Sequence, residues 1–420
     1  MSATQRPPVL PQGYRVPAEW EPQAAVSIAT PPGNEVDPAL FAGAEMTTVA
    51  SVHGAMVRAL AGHTRVRLLA RTRREGLAYA QQLGAGSLPA DALEVSVISH
   101  CDIWVRDTGP IWALSEHGEA ALVWMGFTNW GYFPRITGDW ASCDIPNYLP
   151  RDLGAALGLP VFRTPLVGEG GDKSFNGHGS LLCCLAVEQD RNPQLSVTQL
   201  TELLCASFNV RRVIWVNEGL AADAQTFNVH PYYGNATLPG GVFTPIATGG
   251  HVDEFCRFVG PRTVLLAEVH RERLQRMTPS EEITHYRMAG NLKLLQEQRD
   301  QDGAALEVVR MPLPPDVVYT IDQRDPIWYT MRELRGVQID GPIQMVLSSS
   351  YCNFLVSNGV ILFPRYYRPG MSELVDQIDH EARAVIERVF PGYTVKPIDP
   401  SPVNAGGGGM HCITNDQPRA

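Results

Sequence analysis

Tyr351-Cys352-Asn353-Phe354-Leu355-Val356, Val360-Ile361-Leu362-Phe363, the run from Ser372 to Phe390 and Val395-Lys396-Pro397-Ile398 are the stretch from which the fold is read. Composition and spacing give strand, strand, helix, strand. The chain then continues through Asn404 and Ala405 into Gly406, Gly407, Gly408 and Gly409, followed by Met410, His411, Cys412, Ile413 and Thr414. A glycine run carries no Cβ atoms and reaches left-handed backbone freely, so it suits a place where another group must come very close. It runs directly into a cysteine. A flexible linker is a poor alternative, because this run sits between a strand-like segment and a short remainder rich in small and polar residues.

Working back toward the N-terminus, the same α/β unit recurs. A proline-rich opening (6–22) precedes a helix over 46–60, whose Val49, Val52, Met56 and Leu60 share one face, and a strand over 65–69. Next come a helix at 73–83, a strand at 94–99, a hairpin-like pair either side of His117-Gly118, a helix at 148–157 and a strand at 160–163. Further units read as strand 180–186, helix 196–207 and strand 210–216, then strands 255–259 and 263–267 before a helix within 279–295. No Pro/Ser-rich linker separates these units, which predicts one domain over 1–420 built from quasi-repeats.

Composition narrows the function classes. The chain has 420 residues, 44% of them apolar, and a formal charge of −10, with no block of lysine or arginine. Nucleic acid is therefore not expected as a partner, whereas a small cation is compatible. The first ten residues lack an apolar core and no apolar run approaches membrane-spanning length, so the expectation is no membrane and a cytoplasmic protein. Eight cysteines, scattered apart from Cys183-Cys184 and without CxxC spacing, fit reduced thiols better than a disulfide frame or a zinc ribbon.

Short polar clusters lie between the elements. Arg106-Asp107-Thr108-Gly109-Pro110 places a carboxylate at a turn, and Glu169-Gly170-Gly171 places another beside two glycines. In Gly250-His251-Val252-Asp253, strand geometry would point His251 and Asp253 to one face and Val252 into the core. Zinc ligation by His251, Asp253, His411 and Cys412 lacks the usual ligand spacing, so no metal is expected. A pair of carboxylates matches the forked donors of a guanidinium, holding it planar and leaving its carbon open to a thiolate. Neighbouring positive charge would make that thiolate available.

The motifs Val16-Pro17-Ala18-Glu19-Trp20-Glu21-Pro22, Arg106-Asp107-Thr108-Gly109-Pro110, Asn129-Trp130-Gly131, Glu169-Gly170-Gly171, Arg191-Asn192-Pro193, Gly250-His251-Val252-Asp253, Ser350-Tyr351-Cys352-Asn353-Phe354 and Gly407 to Thr414 occur in one order along the chain. In this the chain resembles the agmatine deiminases and the related Porphyromonas-type peptidyl-arginine deiminases. The resemblance implies the five-fold pseudo-symmetric α/β propeller, or pentein fold, built from ββαβ repeats. By the same resemblance Cys412 is the nucleophile, His251 the general acid/base, and Asp107 and Asp253 the carboxylates that grip the guanidinium. Glu169, Trp130 and Gly409 line the substrate. Neither cofactor nor metal is implied; the partner is a small cationic guanidino substrate, and a homodimer is compatible.

The chain also departs from these relatives. Where agmatine deiminases read close to EGGSIHVDG, it has Glu169-Gly170-Gly171-Asp172-Lys173-Ser174-Phe175-Asn176-Gly177, and insertions at 227–248 and 314–341 are expected to bear on specificity. The activity implied is hydrolytic deimination, of agmatine to N-carbamoylputrescine and ammonia or of a related guanidine. Amidino transfer, peptidyl-arginine deimination and a non-catalytic relative are the alternatives.

Overall fold

Two antiparallel strands followed by a helix can return to their own sheet only with a strand parallel to the second, because the crossover must cover one face. That connectivity recurs in the computed structural model, which describes residues 9–32, 44–132, 147–224, 237–238, 242–325, 327–329 and 341–420. Ile111–Ser115 pairs antiparallel with Ala120–Gly126, the helix Leu149–Leu157 follows, and Val161–Val167 returns parallel. Ser174–Phe175, Ser180–Cys184 and Arg212–Val216 repeat the pattern around helices Leu185–Arg191 and Val197–Phe208. Cys256–Phe258, Thr263–Val269 and Glu307–Leu313 repeat it around the helix Pro279–Glu297. Leu355–Ser357, Val360–Pro364 and Thr394–Ile398 do so around Glu373–Val389.

A fifth sheet uses both ends of the chain. Gln23–Ala29 pairs antiparallel with Asn415–Pro418 and parallel with Arg65–Ala70, which in turn pairs parallel with Leu93–Val97. The helices between them, Val49–Leu60 and Arg73–Gln82, begin at Thr48 and Thr72, whose side chains accept from backbone N–H groups of the first turn. Strand-borne apolar residues such as Val264, Leu265, Leu266, Ile361 and Phe363 meet Met288, Leu295, Ile378, Ala382 and Ile386 of the helices in the largest buried cluster. Strands from the two expected insertions share a separate sheet, in which Ile343–Val346 lies between them: Val242–Phe243, paired with Thr237–Leu238, lines one side of it and Val318–Ile321 the other. The rest of 227–248 and 314–341, apart from the residues just named and their described neighbours, lies outside the described residues.

Several local expectations are corrected. His251 and Asp253 are not in a strand: His251 precedes a single 3₁₀ turn, Val252–Glu254. The loop is set by Asp223, whose carboxylate accepts from the N–H groups of Thr248, Gly250 and His251 and competes with any ladder. Asp107 lies on a one-turn helix, Val105–Thr108, rather than an open turn. Residues 351–354 are not strand either, since Ser350 turns the chain by accepting from Cys352 N and donating to the Glu254 carbonyl. The predicted strand 180–186 stops at Cys184, where the helix Leu185–Arg191 begins. Several strands went unpredicted, the longest of them Gln23–Ala29 and Glu307–Leu313, together with the closing strand Asn415–Pro418.

The closing strand is anchored by Asn415, which accepts from the buried Trp112 indole N–H at 2.6 Å and donates to the Pro110 carbonyl at 3.0 Å. Replacing it by alanine strands both partners, at about 1–3 kcal/mol for each buried group left unpaired. Asn415→Ala is expected to unfold roughly 2–7 °C below the wild type in a calorimetric or circular-dichroism melt, since in a chain of 420 residues each kcal/mol moves the midpoint by about 1 °C; an unchanged midpoint would refute the anchoring role.

Candidate active site

The strand Thr394–Ile398 delivers the chain into the short helix Ser401–Asn404 and then into the glycine run. A Cβ on Gly409 would overlap the Asn353 side-chain amide, so only glycine lets that amide reach in. The amide is fixed at both ends: its oxygen accepts from His411 N at 2.8 Å, and its Nδ2 donates to Glu254 Oε1 at 2.9 Å and to Cys412 Sγ at 3.1 Å. Cys412 is almost wholly buried, with Asp253 Oδ2 at 3.4 Å and Glu254 Oε1 at 3.6 Å from its sulfur. Burial first, then the charges of Asp253, Glu254 and Asp107, push the thiol well above its ordinary pKa.

Beside the thiol lies a second group of charges. His251 is fully buried, with Nε2 at 3.2 Å from Glu169 Oε2 and Nδ1 at 3.5 Å from Asp107 Oδ1. Burial disfavours an imidazolium, but the charge of Asp107 and the hydrogen bond and charge of Glu169 outweigh it, and the pKa is raised to about 10. Glu169 resists burial because Arg191 donates to both its oxygens and His251 adds to this, holding its carboxyl down at about 2. Asp107 is raised by burial despite the nearby His251. It accepts from Gly171 N at 3.0 Å and from the Trp130 indole at 2.7 Å. A Cβ on Gly171 would stand 2.5 Å from His251 Nδ1 and 2.7 Å from Asp107 Oδ1, so this position too requires a bare backbone.

Trp130 reaches Asp107 from an unusual backbone. Asn129 and Trp130 both have φ of 53°, in the left-handed region that a bulky aromatic rarely adopts. Such a conformation costs about 1–3 kcal/mol and persists where neighbours over-determine it. Phe127 packs edge-on against the Trp130 ring, and the Tyr132 hydroxyl donates to the Ala247 carbonyl at 2.5 Å. Trp104 and Ile246 pack on the same aromatic cluster.

Of the residues singled out in the sequence, Cys412, His251, Asp107 and Asp253 are brought together here, with Gly409 against the neighbouring Asn353. Glu169 lies behind His251, both oxygens taken by Arg191 and one also by the imidazole. Lys173 is buried in an ion pair with Glu188 and donates to the Glu169 carbonyl at 3.3 Å. Asn353, Glu254, Arg191 and Asp223 carry site contacts that sequence reasoning had not assigned. Asn353, Glu254 and Arg191 stood in or beside quoted motifs, whereas nothing around Asp223 signals its role. In two groups among the described residues, potential ligand atoms lie within 4.8 Å of one another: Asp253 with Glu254 and Cys412, and Glu19 with His411 and Asp416. In the second, Glu19 already pairs with Arg257 and Asp416 with Arg106.

Comparison with known proteins agrees along the whole chain. The sequence model of the Porphyromonas-type peptidyl-arginine deiminases matches residues 15–231 and 236–418. Agmatine deiminase of Pseudomonas aeruginosa (strain LESB58) is 31% identical over 97% of this chain and 96% of its own, and that of Pseudomonas putida (strain F1) is 30% identical over the same shares. The solved agmatine deiminase of Enterococcus faecalis superposes with a TM-score of 0.72 at 24% identity, covering 97% of this chain and 96% of that one. With a cysteine, a histidine and their carboxylates converging at the end of the matched segment, the chain belongs to the Porphyromonas-type peptidyl-arginine deiminase family.

Proposed function

We propose that the protein hydrolyses the guanidino group of agmatine, releasing ammonia and N-carbamoylputrescine, on a closed ring of five ββαβ units. The ring reading rests on five sheets of like connectivity and on the pairing of Gln23–Ala29 with Asn415–Pro418, which brings the ends of the series together. The observation that carries the chemistry is a thiol set among carboxylates, one of which, Asp107, also faces the His251 imidazolium. Relatives named agmatine deiminase at 30–31% identity support the substrate.

A guanidinium entering between Asp107 and Asp253 donates to both carboxylates and lies with its carbon over Cys412 Sγ. Its charge replaces the thiol's proton: a cation enters the acidic pocket, the proton departs to solvent, and the thiolate is left beside the Asn353 amide that donates to it. Thiolate attack gives a tetrahedral adduct. His251, protonated at neutral pH, gives its proton to the departing nitrogen, and ammonia leaves an amidino-thioether. The neutral imidazole then takes one proton from water as the water attacks, and on collapse the hydroxyl's remaining proton passes to the departing Cys412 sulfur, re-forming the thiol and releasing the ureido product. Glu169 and Arg191 hold the imidazole in place, and Trp130 fixes Asp107. No step calls on a metal.

The committed cations are compatible with agmatine, a guanidine without a carboxylate. Among the described residues near the site, Arg106 pairs with Asp416, Arg191 with Glu169, Arg257 with Glu19 and Lys173 with Glu188. A substrate carboxylate would meet no uncommitted partner among them. The deciding experiment offers agmatine, arginine, arginine peptides and an amine acceptor to the purified protein and measures ammonia and ureido product. Agmatine should give both in equal amounts without the acceptor. Cys412→Ala should lose at least three powers of ten in kcat while keeping the wild-type melt; a tenth of the activity in a folded variant would remove the covalent reading.

Asp107→Asn and Asp253→Asn each set an amide donor against a donor-only guanidinium. Each is expected to lower kcat/KM by about 10² or more, the scale of a buried charged hydrogen bond left unpaired. Near wild-type values in both would mean that these residues do not bind guanidinium.

The pH profile gives a separate check. His251 is acid below its raised pKa, so kcat/KM should fall on the alkaline side near pH 10. Glu169→Gln removes a carboxylate that raises that pKa, and the alkaline limb should move to lower pH. An immobile limb would show that Glu169 does not act on His251.

A further inference from the structure

His411 precedes the nucleophile, and the mechanism above gives it no task. It is buried, and both its ring nitrogens lie against carboxylates: Nδ1 is 2.8 Å from Asp253 Oδ2, and Nε2 is 2.8 Å from Glu19 Oε1. Only an imidazole with a proton on each nitrogen can donate to both at once. The Asp253 oxygen it grips is the one that faces Cys412 Sγ, and the other, Oδ1, is buried without a hydrogen-bond partner. Glu19 is in turn clamped by Arg257 and stands 3.8 Å from Arg106, whose own backbone N–H donates to the Cys412 carbonyl.

We infer that His411, with Glu19 behind it, is a positioning residue for the reaction: it fixes one oxygen of Asp253 so that the carboxylate stays ionised and its free oxygen stays turned to the substrate guanidinium. The inference rests on the proposed deiminase reading for its kinetic part and on geometry alone for its structural part. The arrangement is the one by which a carboxylate behind a metal-bound or catalytic histidine sets that ring, with the roles reversed. The groups that act on or respond to Asp253 are His411, His251, Arg257 and Arg106, all cationic when protonated, and Asp107, Asp223, Glu254 and Cys412. Burial alone would raise the Asp253 carboxyl, and the hydrogen bond from His411, ahead of its charge and that of His251, brings it below its ordinary value. Losing that donor therefore extends the protonated, inactive form of Asp253 to higher pH.

Two substitutions separate the halves of the ring. The Asn amide nitrogen falls where Nδ1 lies and keeps the donor to Asp253, whereas the Gln amide nitrogen falls where Nε2 lies and keeps only the link to Glu19. His411→Gln is expected to lose about 30- to 100-fold in kcat/KM, the usual scale for a supporting residue, with its acidic limb moved to higher pH. His411→Asn should stay within about tenfold with the limb near its wild-type place. Equal losses in both with an unmoved limb would leave His411 a purely structural residue and overturn the inference. The proton spectrum of protein labelled with ¹⁵N-histidine supplies a readout without turnover. His411 should show two exchange-protected ring N–H signals, one displaced by Asp253→Asn and the other by Glu19→Gln. A single ring N–H on His411 in the wild type overturns the clamp. If no alkylguanidine is turned over, the deiminase reading falls, and this spectrum still decides whether the clamp exists.

Discussion

A buried imidazolium held between Asp107 and Glu169 is the contact around which the site is arranged. An ion of this size away from water costs several kcal/mol unless its partners are charged and well placed. The chain supplies those partners and then has to stabilise them. Glu169 is held by Arg191, which also donates to the Thr248 carbonyl, and Asp107 is held by Trp130 and Gly171. Each charge is thereby fixed by a neighbour whose own position is fixed by packing.

The same logic explains the loops. Asp223 gathers the N–H groups of Thr248, Gly250 and His251, and burial still raises its carboxyl to about 6. Asp172 accepts from the backbone of both Cys184 and Val252, tying the glutamate loop to the histidine loop. Irregular backbone can be rigid where buried side chains replace the missing ladder. The left-handed Trp130 belongs to the same economy of local strain offset by packing on Phe127 and by its bond to Asp107.

Periodicity revealed the longer helices and several of the well-buried strands, because Val49, Val52, Met56 and Leu60 or Val360 to Phe363 bury one face or both, but it missed the buried strand Gln23–Ala29. It failed at Asn415–Pro418, whose polar residues enter a sheet only because Gln23–Ala29 offers an edge. It also failed at His251, where strand alternation gives way to the pull of Asp223, a carboxylate 28 positions earlier. The four residues that converge in the site, Cys412, His251, Asp107 and Asp253, were legible through their motifs. The residues that tune it were not, since Arg191, Asp223 and Glu254 act through contacts between distant segments that no local pattern encodes. Lys173 looked like a change in the site and is instead half of a buried pair with Glu188.

The bond between Glu19 and His411 spans 392 positions of sequence. During synthesis Glu19, Arg106 and Asp253 leave the ribosome long before His411 and Asp416, which complete their contacts, and the sheet that holds Gln23–Ala29 stays open at one edge until Asn415–Pro418 arrive. Contacts so far apart are slow to form and leave edges exposed meanwhile. The contacts of Glu19, Arg106 and Asp253 therefore stay half-made until Cys412 emerges together with the strand that completes the sheet. A nascent chain of this protein cannot bury the Cys412 thiol among its carboxylates before the last strand of its sheet is at hand.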